Sequence, residues 1–344
     1  MAKQIKKIAF DPGYPNMLKD QIFDSKSEFA KSMGGLPVAE RYEALKKLLN
    51  EKGIEIHTYD VYKNLKEVDL WLMMEPSPAK YFTILKRRVH PKNVIFFILE
   101  PNIVNPWAWK YLKYYMPFHK VFLSWSSDLA KQYPGKFVEF KVSVPFPKEK
   151  RQHFLSKEKK NLCVLMQSNK YSSVPGELYS LRRDIIRYFE KRGDALLDLF
   201  GPGWNSEKTY HLGMSRPFYT NLYKGFAPDK WEAFAEYWYA LCIQNAIPAG
   251  DFEYDPFMAM ATGAVPVYLP PPNTDEYIPR DTYINYNNFK NLDELVSYLQ
   301  SFAGIKEYEI MRQRGWEYIN SPNYPFRVEK FAEDVYRAIE LAQQ

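Results

Sequence analysis

Glu100 closes the apolar run Val94-Ile95-Phe96-Phe97-Ile98-Leu99 and precedes Pro101-Asn102, which sets a carboxylate at the carboxyl end of an expected strand. Such a group suits a general base, because partial desolvation raises its affinity for a proton while the strand fixes its position. A loop glutamate satisfied by backbone donors is the plain alternative. Asp251, Glu253 and Asp255 alternate with Phe252 and Tyr254 just before Pro256. Proline at the first helical position with an aspartate before it makes a good helix start, so N-capping by Asp255 competes with a ligand role. Carboxylates alone at this spacing would fit only a weak Mg²⁺ or Mn²⁺ site. The five histidines, at 57, 90, 119, 153 and 211, lack metal-ligand spacing, and no metal site is expected. Gly201-Pro202-Gly203 after Leu199-Phe200 is a tight strand-to-loop turn without a Walker lysine or the dinucleotide glycine pattern.

The elements that must position these residues follow from periodicity. Short apolar runs alternate with helical patterns through Lys7 to Phe10, Arg41 to Lys52, Ile54 to Tyr59, Val68 to Met74, Val94 to Glu100 and Val121 to Trp125. That is the βαβ signature of a mostly parallel sheet covered on both faces. The alternation restarts with strands at Leu162 to Met166, Leu196 to Phe200, Tyr239 to Ile243 and Val265 to Leu269, and helices at Gly176 to Arg192 and Asp255 to Thr262. Two doubly wound α/β domains facing across a cleft are expected, spanning 1–147 and 161–324. Between them, 148–160 reads as a solvated linker: Lys148 to Lys160 mixes basic and acidic residues after Val144-Pro145-Phe146-Pro147. The tail 325–344 reads as a helix that could cross back to the first domain.

A length of 344 residues exceeds the usual limit of a single core, in keeping with two domains. Hydrophobic residues at 46% and charged residues at 26% exclude general disorder. Aromatics reach 17%, which fits large clefts or platforms for flat ligands, although packing is their ordinary use. The net charge of +6 favours anionic ligands without a nucleic-acid arm being evident. Cys163 and Cys242 sit in apolar runs and read as core thiols, not as a disulfide or a metal pair. No apolar run approaches the ~18 residues of a membrane span, and a soluble, cytoplasmic protein is expected.

From Tyr239 to Asn285 the chain reads YALCIQNAIPAGDFEYDPFMAMATGAVPVYLPPPNTDEYIPRDTYIN. This stretch resembles the donor-binding core of the family 10 glycosyltransferases, the α-1,3/4-fucosyltransferases, with its E-N, Y-x-T-E-K, A-G-x-V-P-V-Y-x-G-x-P-N and Y-I-P elements. Further segments resemble bacterial members in matching order. They are Phe97 to Pro101 with Asn105-Pro106, Lys120 to Trp125 with Asp128-Leu129, Gly176 to Arg182, Leu199 to Trp204, and Tyr223-Lys224-Gly225. The resemblance runs from about Lys6 to Phe326. It implies the GT-B architecture of two Rossmann-like domains, acceptor-side first and nucleotide-sugar-binding second.

By the same resemblance Glu100 matches the base that deprotonates an acceptor hydroxyl, and Arg182 the arginine that binds the nucleotide diphosphate. Helical spacing sets Arg182 beside the apolar stripe of Ile185 and Ile186, with Arg183 and Arg187 on a more solvated face. Asn245 matches the Asn of E-N, Phe252 the aromatic that packs on the nucleotide, and Asp255 the Glu that holds the ribose. Tyr268 and Asn273 match V-P-V-Y and P-N, which also shape the turn after their strand. The departures are Gln244 for Glu, Tyr254-Asp255-Pro256 for T-E-K, and Pro270 for glycine. Losing that lysine removes a charge against the diphosphate, where charged hydrogen bonds are worth roughly 1.5–3 kcal/mol each; Arg182, Lys224 or Lys230 could compensate.

The resemblance implies an inverting transferase that moves fucose or a related sugar from a nucleotide diphosphate donor, GDP-fucose or a relative, to a hydroxyl of an oligosaccharide acceptor. No tightly bound cofactor is implied, and Mg²⁺ or Mn²⁺ dependence has no support in the residues. The alternative is a catalytically lapsed homologue that binds a glycan or nucleotide. Sugar transfer onto nucleic acid is raised by the mild basicity alone.

Overall fold

The computed structural model describes residues 4–33, 35–207 and 216–344; His211 lies outside them. The chain divides into two units, one of residues 1–145, 248–252 and 325–344, the other of residues 146–247 and 253–324.

The first unit is built on a six-stranded parallel sheet in the order β2-β1-β3-β4-β5-β6. Its strands are β1 (Lys7–Asp11), β2 (Glu55–Thr58), β3 (Leu70–Met74), β4 (Val94–Ile98), β5 (Phe122–Ser124) and β6 (Phe137–Glu139). Both faces are covered, which is why β3 and β4 are apolar throughout and buried at every position. On one face Phe10 and Phe97 pack with Tyr42 of helix Glu40–Glu51 and with Phe331, Val335 and Ile339 of helix Val328–Gln343. On the other, Trp71, Phe96 and Phe122 pack against Ile84, Leu112 and Tyr115. Each such side chain contributes about 1.5–3 kcal/mol when fully buried. The segment 248–252 joins this unit at Ser127, whose amide donates to the Ala249 carbonyl at 3.3 Å. Gly250 has φ +95, and a Cβ there would stand 2.3 Å from the Trp125 carbonyl oxygen, so the approach requires glycine.

The second unit carries a five-stranded parallel sheet in the order β11-β10-β9-β7-β8. Its strands are β7 (Asn161–Met166), β8 (Leu197–Phe200), β9 (Tyr237–Cys242), β10 (Val265–Tyr268) and β11 (Ile284–Asn285). Read from β8, this is the same winding as the first five strands of the other sheet. The order therefore reverses between β1 and β3 in one unit and between β7 and β9 in the other, the places where open α/β sheets take ligands at strand carboxyl ends. Helix Tyr179–Arg192 closes on Gly193 in the left-handed conformation, and Leu292–Phe302 buries Leu295, Val296, Leu299 and Phe302.

Two local expectations are corrected. The stretch 148–160 is not wholly solvated: it includes helix Arg151–Leu155, with Arg151 and Phe154 buried. Arg151 Nη1 donates to the carbonyls of Met260 at 3.0 Å and Ala261 at 2.9 Å, closing the end of helix Asp255–Thr262, where a cation opposes the helix dipole. Asp255 is not the N-cap, because the helix begins with Asp255 itself and Pro256 comes second. That frees the Asp255 carboxylate for tertiary partners.

Candidate active site

At the carboxyl edge of the first sheet, three carboxylates follow three strands. Asp11 ends β1, Glu75 stands one residue beyond β3, and Glu100 stands two beyond β4. The parallel register of β3 and β4, Met74 against Phe97, brings Glu75 to the backbone at Glu100. Glu75 accepts from the amides of Leu99 at 2.6 Å and Glu100 at 2.9 Å, and from Asn105 Nδ2 at 2.5 Å. Its backbone has φ +53, a left-handed conformation uncommon for glutamate, held by its own amide bonding to Phe97 O at 2.9 Å. Burial outweighs those hydrogen bonds and raises the Glu75 carboxyl to about 7. Glu100 is half-buried, and its carbonyl accepts from Trp109 Nε1 at 2.9 Å. Burial, together with the charges of Glu100 and Glu75, raises the Tyr14 phenol.

Beyond the end of β1, against helix Pro78–Lys86, lies a cavity of about 230 Å³ bordered by Asp11, Gly13, Tyr14, Tyr59, Lys80 and Thr83. Lys80, from helix Pro78–Lys86, forms an ion pair with the buried Asp11, and burial lowers its pKa despite that partner. Glu75 carried no signal in the sequence reading, since its importance comes from strand pairing with a segment far along the chain.

At the carboxyl edge of the second sheet a polar chain links β9, β10 and the N-terminal half of helix Tyr179–Arg192. Arg182 is 1% exposed. It donates from Nε to Ile243 O at 2.7 Å and from Nη2 to Asn245 Oδ1 at 3.2 Å, while Nη1 is buried without a hydrogen-bond partner among the described residues. The Asn245 amide donates to Glu253 Oε1 at 3.1 Å, and the Glu253 amide donates to Gln244 Oε1 at 3.4 Å. Tyr268, buried at the end of β10, donates its hydroxyl to the same Gln244 oxygen at 2.5 Å. Burial raises the Glu253 carboxyl, with the charge of Arg182 opposing. Asp255 accepts from Gln167 Nε2 and lies 3.6 Å from Lys230 Nζ.

Arg183 and Arg187 are both more exposed than Arg182, as the helical spacing implies. Arg183 is half-buried and turned toward β7, donating to Asn169 Oδ1 at 2.9 Å and to Lys170 O at 3.1 Å. Arg216 stands over the Tyr171 ring at 4.1 Å. Gly201 has φ +127, and a Cβ would meet Gln167 O at 2.3 Å, so only glycine lets the ends of β7 and β8 converge. The N-terminus of helix Tyr179–Arg192, an ordinary anion site, holds the chain's own Glu177, which accepts from the amides of Tyr179 at 2.7 Å and Ser180 at 3.1 Å.

Of the sequence candidates, Arg182, Asn245, Asp255 and Tyr268 therefore share the carboxyl edge of the second sheet. Asn273 is half-buried on the loop after β10 and accepts the Glu276 amide at 3.2 Å through its carbonyl. Phe252 falls in the first unit, 3% exposed, packed on Phe326 at 5.4 Å and under the Lys141 ammonium at 5.3 Å. Lys224 is near Asp198 at 3.5 Å. Cys163 and Cys242 are buried free thiols, each pushed up by burial. Among the described residues no three His, Cys, Asp or Glu side chains gather as a metal site.

No family model matches this sequence, and none of the curated proteins does. Solved structures do. An α1,3-fucosyltransferase with GDP superposes with a TM-score of 0.56 at 14% identity, over 99% of this chain and 92% of that one. An α-glucosyltransferase in complex with UDP-glucose and DNA containing an abasic site gives 0.54 at 9% identity, over 99% and 100%. Anabaena HepE in complex with UDP gives 0.53 at 12% identity, over 98% and 100%. At such identities the likeness carries the fold: two Rossmann-like domains of GT-B architecture.

Proposed function

We propose that this protein is an inverting glycosyltransferase that takes fucose or a related sugar from a nucleotide diphosphate donor, GDP-fucose or a relative, and transfers it to a hydroxyl of a glycan. The observation that carries this reading is the pairing of Glu75 with the backbone of Glu100 on a fold whose solved relatives were captured with GDP, UDP-glucose or UDP. Glu100 accepts the proton of the acceptor hydroxyl as its oxygen attacks the anomeric carbon. The bond from that carbon to the diphosphate oxygen breaks, and its electron pair leaves on the phosphate. Glu75 is a positioning residue that fixes the Glu100 backbone.

On the nucleotide side Asp255 faces the ribose, and Tyr268 and Asn273 wall the site. Arg182 anchors Asn245, while Arg183, Lys170 and Lys230 supply the positive charge that the missing lysine would have given. Replacing Glu100 by Gln keeps the shape but removes the proton acceptor, so transfer should fall by about 10²–10⁴-fold with donor Kd nearly unchanged. Near-normal turnover in that variant would remove Glu100 from the mechanism.

A second reading, a lapsed enzyme that binds nucleotide or glycan, is favoured by one observation: Glu177 already occupies a helix N-terminus suited to phosphate. Calorimetry separates the two, since the lapsed protein would bind a nucleotide and turn over no donor.

A further inference from the structure

We propose that the helical flank of the first unit is a docking surface for anionic membranes. That flank is basic. From Pro76 to Ser127 the sequence holds eight lysines and arginines against one acidic residue, Glu100; one of the eight, Lys80, is paired with Asp11 at the carboxyl edge and does not belong to this surface.

The same stretch exposes large apolar side chains. On helix Pro78–Lys86, Ile84 is buried and anchors the helix, while Phe82 is 66% and Leu85 74% exposed. Tyr114 and Phe118, on the connection that leads into β5, are 62% and 61% exposed. Tyr81, Trp107, Tyr111, Tyr114 and Phe118 border an aromatic hollow of about 660 Å³, with Trp107 stacked on Tyr115 at 5.7 Å. Leu85 lies one helical turn from Tyr81 and shares its face, so the protruding apolar residues and the hollow form one surface. Exposed apolar patches of this kind mark binding surfaces rather than ordinary solvent-facing ground.

The cations of the same stretch decide the occupant. Lys86, Arg88, Lys92, Lys110 and Lys113 form no ion pair among the described residues, and Lys110 and Lys113 stand over Tyr111 and Tyr114 at 5.4 and 5.0 Å. Exposed aliphatic and phenyl groups among cations without ion pairs fit the acyl boundary of a bilayer, with the cations at the anionic headgroups. Flat aromatic faces alone would equally suit nucleic-acid bases, but a protruding leucine offers a base nothing to stack on. Pro91 and Phe118 precede β4 and β5, so this surface reaches the amino end of the strands, opposite the edge that carries Glu100. Among the described residues no helix is long and apolar enough to cross a membrane, and attachment would be to the surface.

The test is flotation of the full chain with vesicles of phosphatidylcholine, with and without phosphatidylglycerol, alongside duplex and single-stranded DNA. Binding is expected to the anionic vesicles, weakened by molar salt, with Trp107 quenched by brominated acyl chains. The triple variant Phe82→Ser, Leu85→Ser and Phe118→Ser alters only exposed positions, so its far-UV dichroism and Tm should match wild type while vesicle affinity falls at least about tenfold. Lys110→Gln and Lys113→Gln should each cost about fivefold on anionic vesicles. Absence of wild-type binding to anionic vesicles, or unchanged binding by the triple variant, would overturn the proposal. So would DNA binding tighter than vesicle binding and indifferent to the triple variant, which would make this face a nucleic-acid platform.

Discussion

Glu75→Gln should reverse its effect on stability between acidic and alkaline pH. In the folded protein burial holds the Glu75 carboxyl at about 7, against an ordinary value of 4.5. As pH rises from 4.5, the unfolded chain gives up this proton first and the folded chain keeps it, so stability is lost between pH 4.5 and 7 and is level above. That interval corresponds to about 3 kcal/mol. Glutamine at 75 does not titrate. Its oxygen can still accept from Leu99 and Glu100, but its Nε2 would face Asn105 Nδ2, a clash of two donors that costs about 1 kcal/mol. The variant should therefore be about 1 kcal/mol less stable than wild type at pH 4.5 and about 2 kcal/mol more stable at pH 8. Urea unfolding of both proteins across that range measures the difference directly. His119, lowered to about 4 by burial, acts in the opposite sense, adding stability as pH rises from 4 toward 6.5, but it is common to both proteins and cancels. A constant difference at all pH values would refute the reasoning and leave Glu75 an ordinary ionised loop carboxylate.

Arg182→Ala strips donors from Ile243 O and Asn245 Oδ1 and removes the larger of the two positive charges acting on the buried Glu253, the other being that of Lys170. Urea unfolding should show a loss of about 3–5 kcal/mol, and wild-type stability would mean the arginine is dispensable to the edge. Arg183→Ala should instead leave Tm near wild type and weaken a nucleoside diphosphate by roughly 1.5–3 kcal/mol more than the nucleoside, read by calorimetry; equal losses would exclude charge recognition. Gly201→Ala forces a Cβ against Gln167 O and should lower Tm by several degrees; an unchanged Tm would show that the β7 and β8 ends are free to separate.

The strands were legible where burial is two-sided, because Val94 to Ile98 and Leu162 to Met166 must be apolar on both faces. The short strands Phe137–Glu139 and Ile284–Asn285 left no comparable run, and their existence depends on neighbours already in place. The candidate residues were legible only where a strand end or a matching motif marked them. Glu75 depends on register with β4, and Gln244 and Glu253 acquire meaning only when Tyr268 and Asn245 reach them. Arg183 lies on the more solvated side of its helix, as the spacing implies, but its bond to Asn169 depends on the length of the guanidinium arm, which a helical wheel does not show. Arg151 was hidden in a charged stretch because its two carbonyl acceptors lie more than a hundred residues away.

The most direct test of the central claim is proton NMR of the full chain incubated with each of a panel of nucleotide sugars and a glycan acceptor, with Glu100→Gln in parallel. One donor should lose its anomeric signal, the new glycosidic linkage should have the inverted configuration, and the variant should be silent. Retention at the anomeric carbon, or no consumption of any donor by wild type while a nucleoside diphosphate still binds, would contradict it.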